Sequence, residues 1–182
     1  SDNTIVHILS LEDIKSFKKS DNNTDAYHYV NHIHFSPNGK NFIFFHIAEI
    51  KNNRRIRLIL SDLNGKKLKV LVKEEFGLSH YNWVNDNELI LYLFNGPSGR
   101  GYYFLDTDKL EYSKINLDTG GLDGHPTVSA DRDFIITDTL PDRYSERSLL
   151  RYNLGNGNKK KLGSFDSLLK LDNSQRCDLH PR

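Results

Sequence analysis

The sequence is poor in cysteine, methionine and long apolar runs, and each shortage narrows the classes of protein it can belong to. A single cysteine, Cys177, excludes an internal disulfide framework, and no Cys/His spacing typical of a zinc finger occurs. No apolar run approaches the roughly 20 residues of a membrane span, and the first residues lack the basic and apolar regions of a signal peptide. Methionine is missing even at position 1, so we expect a processed, excised or incompletely represented chain.

Net charge is also nearly absent. The 25 Lys and Arg residues almost balance the 24 Asp and Glu residues, so no overall field steers nucleic acid or an anionic membrane toward the protein. We therefore expect neither nucleic-acid nor membrane partners. One cysteine and no visible signal peptide favour a cytoplasmic location, and a periplasmic location stays open.

Aromatic residues are what the chain has in quantity. Its 9 Tyr and 10 Phe residues, with scattered Val and Ile, favour strands over helices. Helical periodicity is confined to the stretch LSLEDIKSFKK from Leu9, which predicts one short helix. The sequence therefore predicts an all-β fold.

A repeat of 45 to 55 residues organises the chain. The aligned copies are NHIHFSPNGKNFIFFH from Asn31, SHYNWVNDNELILYLF from Ser79, GHPTVSADRDFIITDT from Gly124, and a fourth copy that begins as LHPR. One histidine recurs in every copy, with spacings of 48, 45 and 55 residues: His32, His80, His125 and His180. This period suits a four-stranded propeller blade with loops of variable length.

Each period holds four strand signals bounded by Gly, Asn and Asp turns, which predicts antiparallel blades. The predicted blades span residues 31–76, 77–122 and 123–169. Residues 1–30 are expected to hold the last strand of a preceding blade, Thr4–Leu9, and a loop, and residues 170–182 are expected to begin a further blade. Residues 1–182 are thus predicted to form a single partial β-propeller domain, with about three blades visible of a ring of roughly six to eight.

Short motifs give the repeats a family resemblance. The segment HIHFSPNGK resembles the His-x-x-Phe-Ser-Pro-Asp-Gly-Lys signature of TolB-like propellers, with Asn38 in place of Asp. SHYNW, DGHPTVSAD, TDTLPDR and RCDLHPR are similar to segments of bacterial propellers related to oligogalacturonate lyase. The resemblance covers residues 30–182.

The repeated histidine defines a candidate site, because the first strand of every propeller blade lines the central channel. We expect the four imidazoles to converge there with nearby carboxylates. Such a group suits a divalent transition metal, and oxygen ligands shift the preference toward manganese. The alternative for each histidine is a structural role, in which the imidazole hydrogen-bonds the turn and packs the blade.

The lyase resemblance implies a specific ligand set. That family holds its metal with a Gln-x-x-His-x-His cluster and a histidine from the preceding blade. Here the pattern implies metal ligands at Gln175, His180 and His125, with Asp178 in place of the middle histidine of the cluster. A carboxylate can also ligate a metal ion.

The same resemblance implies a general base and an accompanying arginine. His80 stands at the position of the histidine that removes the proton. Arg55 is the best match for the arginine, and Arg54 and Arg57 are rival positions. The alternative interpretation of Arg55 is an exposed charge on a strand.

The function implied is a metal-assisted β-elimination lyase that acts on uronate-containing oligosaccharides. A metal ion and a guanidinium offset the charge of the sugar carboxylate, and a neutral imidazole takes the C5 proton. His32 and Arg143 are expected to contact the substrate. The alternative function is a non-catalytic TolB-like propeller that binds a protein or a glycan at its channel mouth.

Overall fold

Three four-stranded sheets follow one another along the chain. The structure is a computed structural model that describes residues 4–17, 25–121, 123–167 and 178–181. The first sheet contains β1 (Tyr27–Phe35), β2 (Asn41–Ile50), β3 (Asn53–Asp62) and β4 (Leu68–Val72). The second contains β5 (Leu78–Asn85), β6 (Glu88–Leu93), β7 (Gly101–Asp106) and β8 (Tyr112–Lys114). The third contains β9 (Thr127–Val128), β10 (Phe134–Asp138), β11 (Glu146–Asn153) and β12 (Lys159–Asp166).

Consecutive strands are neighbours in every sheet, and the turns and loops that join them are short. The turn between β1 and β2 shows why the sequence SPNGK favours this arrangement. Gly39 donates its N–H to the carbonyl oxygen of Ser36 at 2.8 Å and has a φ of +66°, a left-handed conformation that glycine adopts without strain. The predicted all-β fold of antiparallel four-stranded blades is confirmed, and the described residues close no ring.

The chain divides into two compact units, residues 1–78 and residues 79–182, which we call the first and second units. In the first, Ile14 of helix α1 (Leu11–Ser16) packs with Phe44 and Ile59 of the sheet. In the second, a core of aromatic and aliphatic side chains joins both sheets: Ile90, Tyr92, Tyr102, Ile115 and Ile135. Burying each such side chain contributes roughly 1.5–3 kcal/mol. Within the described segments, no helix is long and apolar enough to cross a membrane.

One local expectation needs correction. Residues 4–10 form no strand, so the predicted strand Thr4–Leu9 was wrong. A run of Thr, Ile and Val becomes a strand only where a partner supplies the ladder of hydrogen bonds. In the third sheet, β9 contains two residues and begins after Pro126, which has no N–H to donate to a ladder. The short helix expected after Leu9 is present as α1, with a capping box between Ser10 and Asp13.

A buried arginine and a buried histidine fasten α1 to the first sheet. The Arg57 guanidinium donates to the carbonyl oxygens of Phe17 and Ile14, at 2.7 Å each, at the end of the helix. Its Nε–H donates to Nδ1 of His46 at 2.9 Å, and Nε2 of His46 lies 3.0 Å from Nδ1 of His28. Because an arginine can only donate, Nδ1 of His46 accepts, and the proton of the neutral ring is on Nε2.

We expect this arrangement to make the stability of the protein depend on pH. Burial, the Arg57 charge, His28 and Lys15 together lower the pKa of His46 from 6.5 to about 4. The unfolded chain therefore binds a proton that the folded chain excludes, and the stabilisation present above pH 6.5 is lost as the pH falls toward 4. The loss amounts to about 3 kcal/mol in the free energy of unfolding.

Urea unfolding between pH 4 and pH 7 measures this loss. His46→Gln keeps an acceptor for Arg57 but does not titrate, so its unfolding free energy should vary less with pH in that window. His7→Gln, a change at an exposed histidine, serves as the control and should keep the slope of the unchanged protein. An equal slope in all three proteins contradicts the assignment to His46.

Candidate functional site

Three imidazoles of the second unit lie against one another. His80 is on β5, His125 comes just before β9, and His180 lies in the segment 178–181. The ring centroids of His80 and His125 are 4.1 Å apart, and those of His125 and His180 are 3.7 Å apart. We call these three residues the histidine cluster.

One threonine connects the segments that carry the cluster. Thr127, on β9, accepts a hydrogen bond from the side-chain amide of Asn82 on β5 at 3.0 Å. The Thr127 hydroxyl donates in turn to the carbonyl oxygen of Pro181 at 2.7 Å. The starts of two successive blades and the segment 178–181 are thus held together, which explains how histidines 45 and 55 residues apart become neighbours.

Asp123 contacts the first imidazole of the cluster. Its Oδ1 lies 2.9 Å from Nδ1 of His80, and its Oδ2 accepts a short hydrogen bond from the hydroxyl of Ser79. The His80 side chain is 18% exposed and the Asp123 side chain 7%, so the carboxylate is buried and the imidazole remains partly accessible to solvent.

Asp138 contacts the second imidazole and both neighbouring backbone segments. Its Oδ1 lies 2.9 Å from Nδ1 of His125 and accepts from the His125 N–H at 2.7 Å, and its Oδ2 accepts from the N–H of His180 at 3.3 Å. Burial alone would raise the pKa of Asp138, but these hydrogen bonds outweigh it and hold the pKa at about 2. A Cβ on Gly124 would collide with the Asp138 carbonyl oxygen, so this close packing requires glycine.

The cluster includes a group able to hold a metal ion. One ligand atom from each of His125, Asp178 and His180 lies within 4.8 Å of the others. Nδ1 of His125 is engaged by Asp138, and Nδ1 of His180 lies 3.2 Å from the carbonyl oxygen of Asp178, so both rings keep Nε2 for another partner. Two imidazoles and a carboxylate fit a divalent transition-metal cation such as manganese or zinc. Gln175, the fourth predicted ligand, lies outside the described residues.

Arg147 is a member of this site that the sequence did not reveal. Its side chain is 2% exposed, and its Nη2 lies 2.5 Å from Oδ1 of Asp178. Its Nε donates to the hydroxyl of Ser167 at 3.3 Å, whereas neither Nη1 nor Nη2 makes a hydrogen bond among the described residues, so the contact with Asp178 is an ion pair defined by its distance. One oxygen of the Asp178 carboxylate is therefore shared with a buried guanidinium.

Arg143 lies elsewhere in the second unit. It belongs to the exposed loop between β10 and β11, where its guanidinium lies 4.6 Å from the ring centroid of Tyr144. Its predicted contact with substrate stays a prediction.

The other two predicted site residues belong to the first unit. His32 lies at a bulge of β1 with a φ of +53°, and its Nδ1 is 2.8 Å from the side-chain oxygen of Asn31. Arg55 is exposed on β3. Of its rivals, Arg54 pairs with Glu49 at 3.2 Å, and Arg57 is buried at the end of α1. The predicted roles of His32 in substrate binding and of Arg55 in catalysis stay predictions.

The fold and the site together define a segment of a β-propeller that carries a cluster of three histidines. No family model matches the chain, and no curated protein matches it. Solved structures do match. TolB from Acinetobacter baumannii aligns with a TM-score of 0.53 and 18% identity over 74% of this chain and 32% of its own. A putative TolB from Agrobacterium tumefaciens aligns with a TM-score of 0.55 and 12% identity over 80% of this chain and 52% of its own.

An oligogalacturonate lyase in complex with manganese is about as similar to this chain in structure as the two TolB proteins are. It aligns with a TM-score of 0.51 and 12% identity, over 79% of this chain and 43% of its own. The chain thus spans between a third and about half of the length of these three propellers. At such identities the likeness shows the fold alone, and that fold is the TolB-like propeller, which the lyase shares.

Proposed function

We propose that the protein is a metal-assisted lyase that cleaves uronate-containing oligosaccharides by β-elimination. The observation that carries the proposal is the contact between His80, paired with a carboxylate, and the group His125, Asp178 and His180. A general base next to a cation site is what removal of a proton beside a carboxylate requires.

The proposed cation is divalent, with manganese favoured. It would be held by His125, Asp178 and His180, with Gln175 as a further predicted ligand, and would supply positive charge to offset the carboxylate of the uronate. Asp138 supports this role because it fixes the ring of His125 and the backbone of His180 through hydrogen bonds, as carboxylates do behind metal-binding imidazoles.

The reaction needs one proton acceptor and no covalent nucleophile. Nε2 of His80 takes the C5 proton, and the electrons of the C5–H bond form the C4–C5 double bond. The C4–O bond breaks, and the leaving hydroxyl takes its proton from solvent. A neutral imidazole is suited to the first step, because its ordinary pKa lies close to physiological pH. Arg55 is the predicted guanidinium that assists in offsetting the carboxylate.

The test is incubation of the protein with oligogalacturonate and Mn²⁺. The expected product is an unsaturated uronide, detected by its ultraviolet absorbance. His80→Ala should abolish the increase in absorbance, whereas the matched change His7→Ala, at an exposed histidine of the first unit, should leave it intact. No absorbance with oligogalacturonate or any member of a panel of uronides would overturn the proposal.

The second candidate function is binding without catalysis, in which the propeller presents its channel mouth to a protein or a glycan. It is favoured by the two TolB neighbours and by the generic SPNGK turn of the first blade. Under this function, the double change His80→Ala and His125→Ala should lower stability and leave ligand binding largely intact. Loss of binding in a folded double variant would argue against it.

A further inference from the structure

Two His–carboxylate pairs lie side by side in the histidine cluster, and their carboxylates are bonded differently. Asp138 binds the ring of His125 together with the backbone N–H groups of His125 and His180. Asp123 is bonded to side chains, namely the His80 ring and the Ser79 hydroxyl. Asp138 therefore holds the predicted metal ligands His125 and His180 in place, whereas Asp123 is hydrogen-bonded to the predicted base, His80.

The hydrogen bonds around His80 determine which ring nitrogen carries the proton. The single hydroxyl proton of Ser79 is donated to Oδ2 of Asp123, so the Ser79 oxygen, 3.0 Å from Nδ1 of His80, can only accept from the ring. Oδ1 of Asp123, 2.9 Å from the same nitrogen, also accepts. Two acceptors at Nδ1 require a proton there, which leaves Nε2 with the free lone pair.

We infer that Asp123 is the positioning residue of the proposed reaction, which holds His80 in the Nδ1–H tautomer so that Nε2 is the base. This inference rests on the proposed function, since His80 has a proton to accept only in that reaction. It assigns a role to the aspartate of the DGHP segment beyond the ligands and the base implied by the repeat. Ser79 supports the same tautomer, because its hydroxyl donates its proton to Asp123 and can only accept from the His80 ring.

The first test is made on the metal-free protein by long-range ¹H–¹⁵N NMR, which reports the protonated nitrogen of each imidazole without any substrate. The unchanged protein should show His80 protonated at Nδ1. In Asp123→Asn the side-chain amide can donate to Nδ1, so the Nε2–H tautomer should become the major form. Ser79→Ala should keep the Nδ1–H tautomer, because Asp123 is still present.

The second test is made on catalysis. With oligogalacturonate and Mn²⁺, Asp123→Asn should lower kcat by about 10²–10⁴-fold while KM changes much less, because the variant binds substrate with the base in the wrong tautomer. Asp131→Asn, the same change in an exposed turn of the third sheet, is the matched control and should keep kcat. Asp123→Glu restores an acceptor and should recover part of the rate.

The outcomes separate this inference from the function on which it rests. His80 protonated at Nε2 in the unchanged protein overturns the inference even if Asp123→Asn fails to fold. An unchanged tautomer in a folded Asp123→Asn variant also overturns it. If the tautomer switches as expected but the unchanged protein eliminates no uronide, the proposed lyase function is overturned, whereas the control of the His80 tautomer by Asp123 is supported.

Discussion

Replacing Asp178 by alanine is expected to destabilise the protein by about 3–5 kcal/mol, because it leaves a buried guanidinium without a counter-charge. Arg147 is 2% exposed, and its Nη2 lies 2.5 Å from the Asp178 carboxylate. The measurement is urea unfolding of the two proteins in the presence of a chelator, which removes any contribution of bound metal.

The double variant distinguishes an unpaired charge from a simple loss of packing. Arg147→Met removes the guanidinium and keeps an unbranched apolar side chain in its place. Arg147→Met combined with Asp178→Ala should therefore recover most of the stability lost in Asp178→Ala alone. If the double variant instead loses as much stability as the two single variants together, the ion pair does not explain the destabilisation in Asp178→Ala. Glu111→Ala, at an exposed carboxylate, is the control and should cost less than about 0.5 kcal/mol.

The pair of Arg147 and Asp178 also bears on the departure of this chain from the family pattern. The lyase resemblance implies a histidine in the middle of the Gln-x-x-His-x-His cluster, and this chain has Asp178 there. A protonated imidazole beside the buried arginine would add repulsion, whereas a carboxylate attracts it. An aspartate at this position therefore offsets the charge of the buried guanidinium, which a histidine would not do.

The repeat predicted the fold because every copy carries its turns at the same places. Gly, Asn and Asp between apolar runs set the strand boundaries, and the period set the number of strands in each blade. The strand expected at Thr4–Leu9 failed for the opposite reason, since its residues have strand propensity but no copy of the repeat and no partner strand among the described residues. Propensity alone does not decide whether a segment becomes a strand.

The histidines of the site were predictable and their partners were not. His80, His125 and His180 recur at one blade position, which topology brings to one place. Asp123 stands two residues before His125 yet contacts His80, and Arg147 contacts Asp178 from β11, 31 residues earlier in the chain. Such contacts depend on side chains of neighbouring blades, and no spacing in a single sequence encodes them. The aspartate of DGHP, next to a repeated histidine, was the available signal for Asp123.

Replacing His125 by alanine is expected to weaken Mn²⁺ binding by at least about 100-fold. Changes in the residues behind metal ligands already cost about 10–100-fold, and His125 is a member of the proposed ligand group itself. It is also the ring that Asp138 orients, so its loss removes a ligand that is held in place before the ion arrives. Titration followed by the electron paramagnetic resonance of free Mn²⁺ measures the dissociation constant directly.

Two control variants test whether the Mn²⁺ dissociation constant depends on the ligand group alone or also on other histidines. His7→Ala, at an exposed histidine of the first unit, should leave the dissociation constant unchanged. His80→Ala should change it far less than His125→Ala, because His80 is assigned to proton transfer and is absent from the group of mutually close ligand atoms. Equal weakening by His80→Ala and His125→Ala would contradict this division, since the cation would then depend on both imidazoles and His80 would not be available as a base.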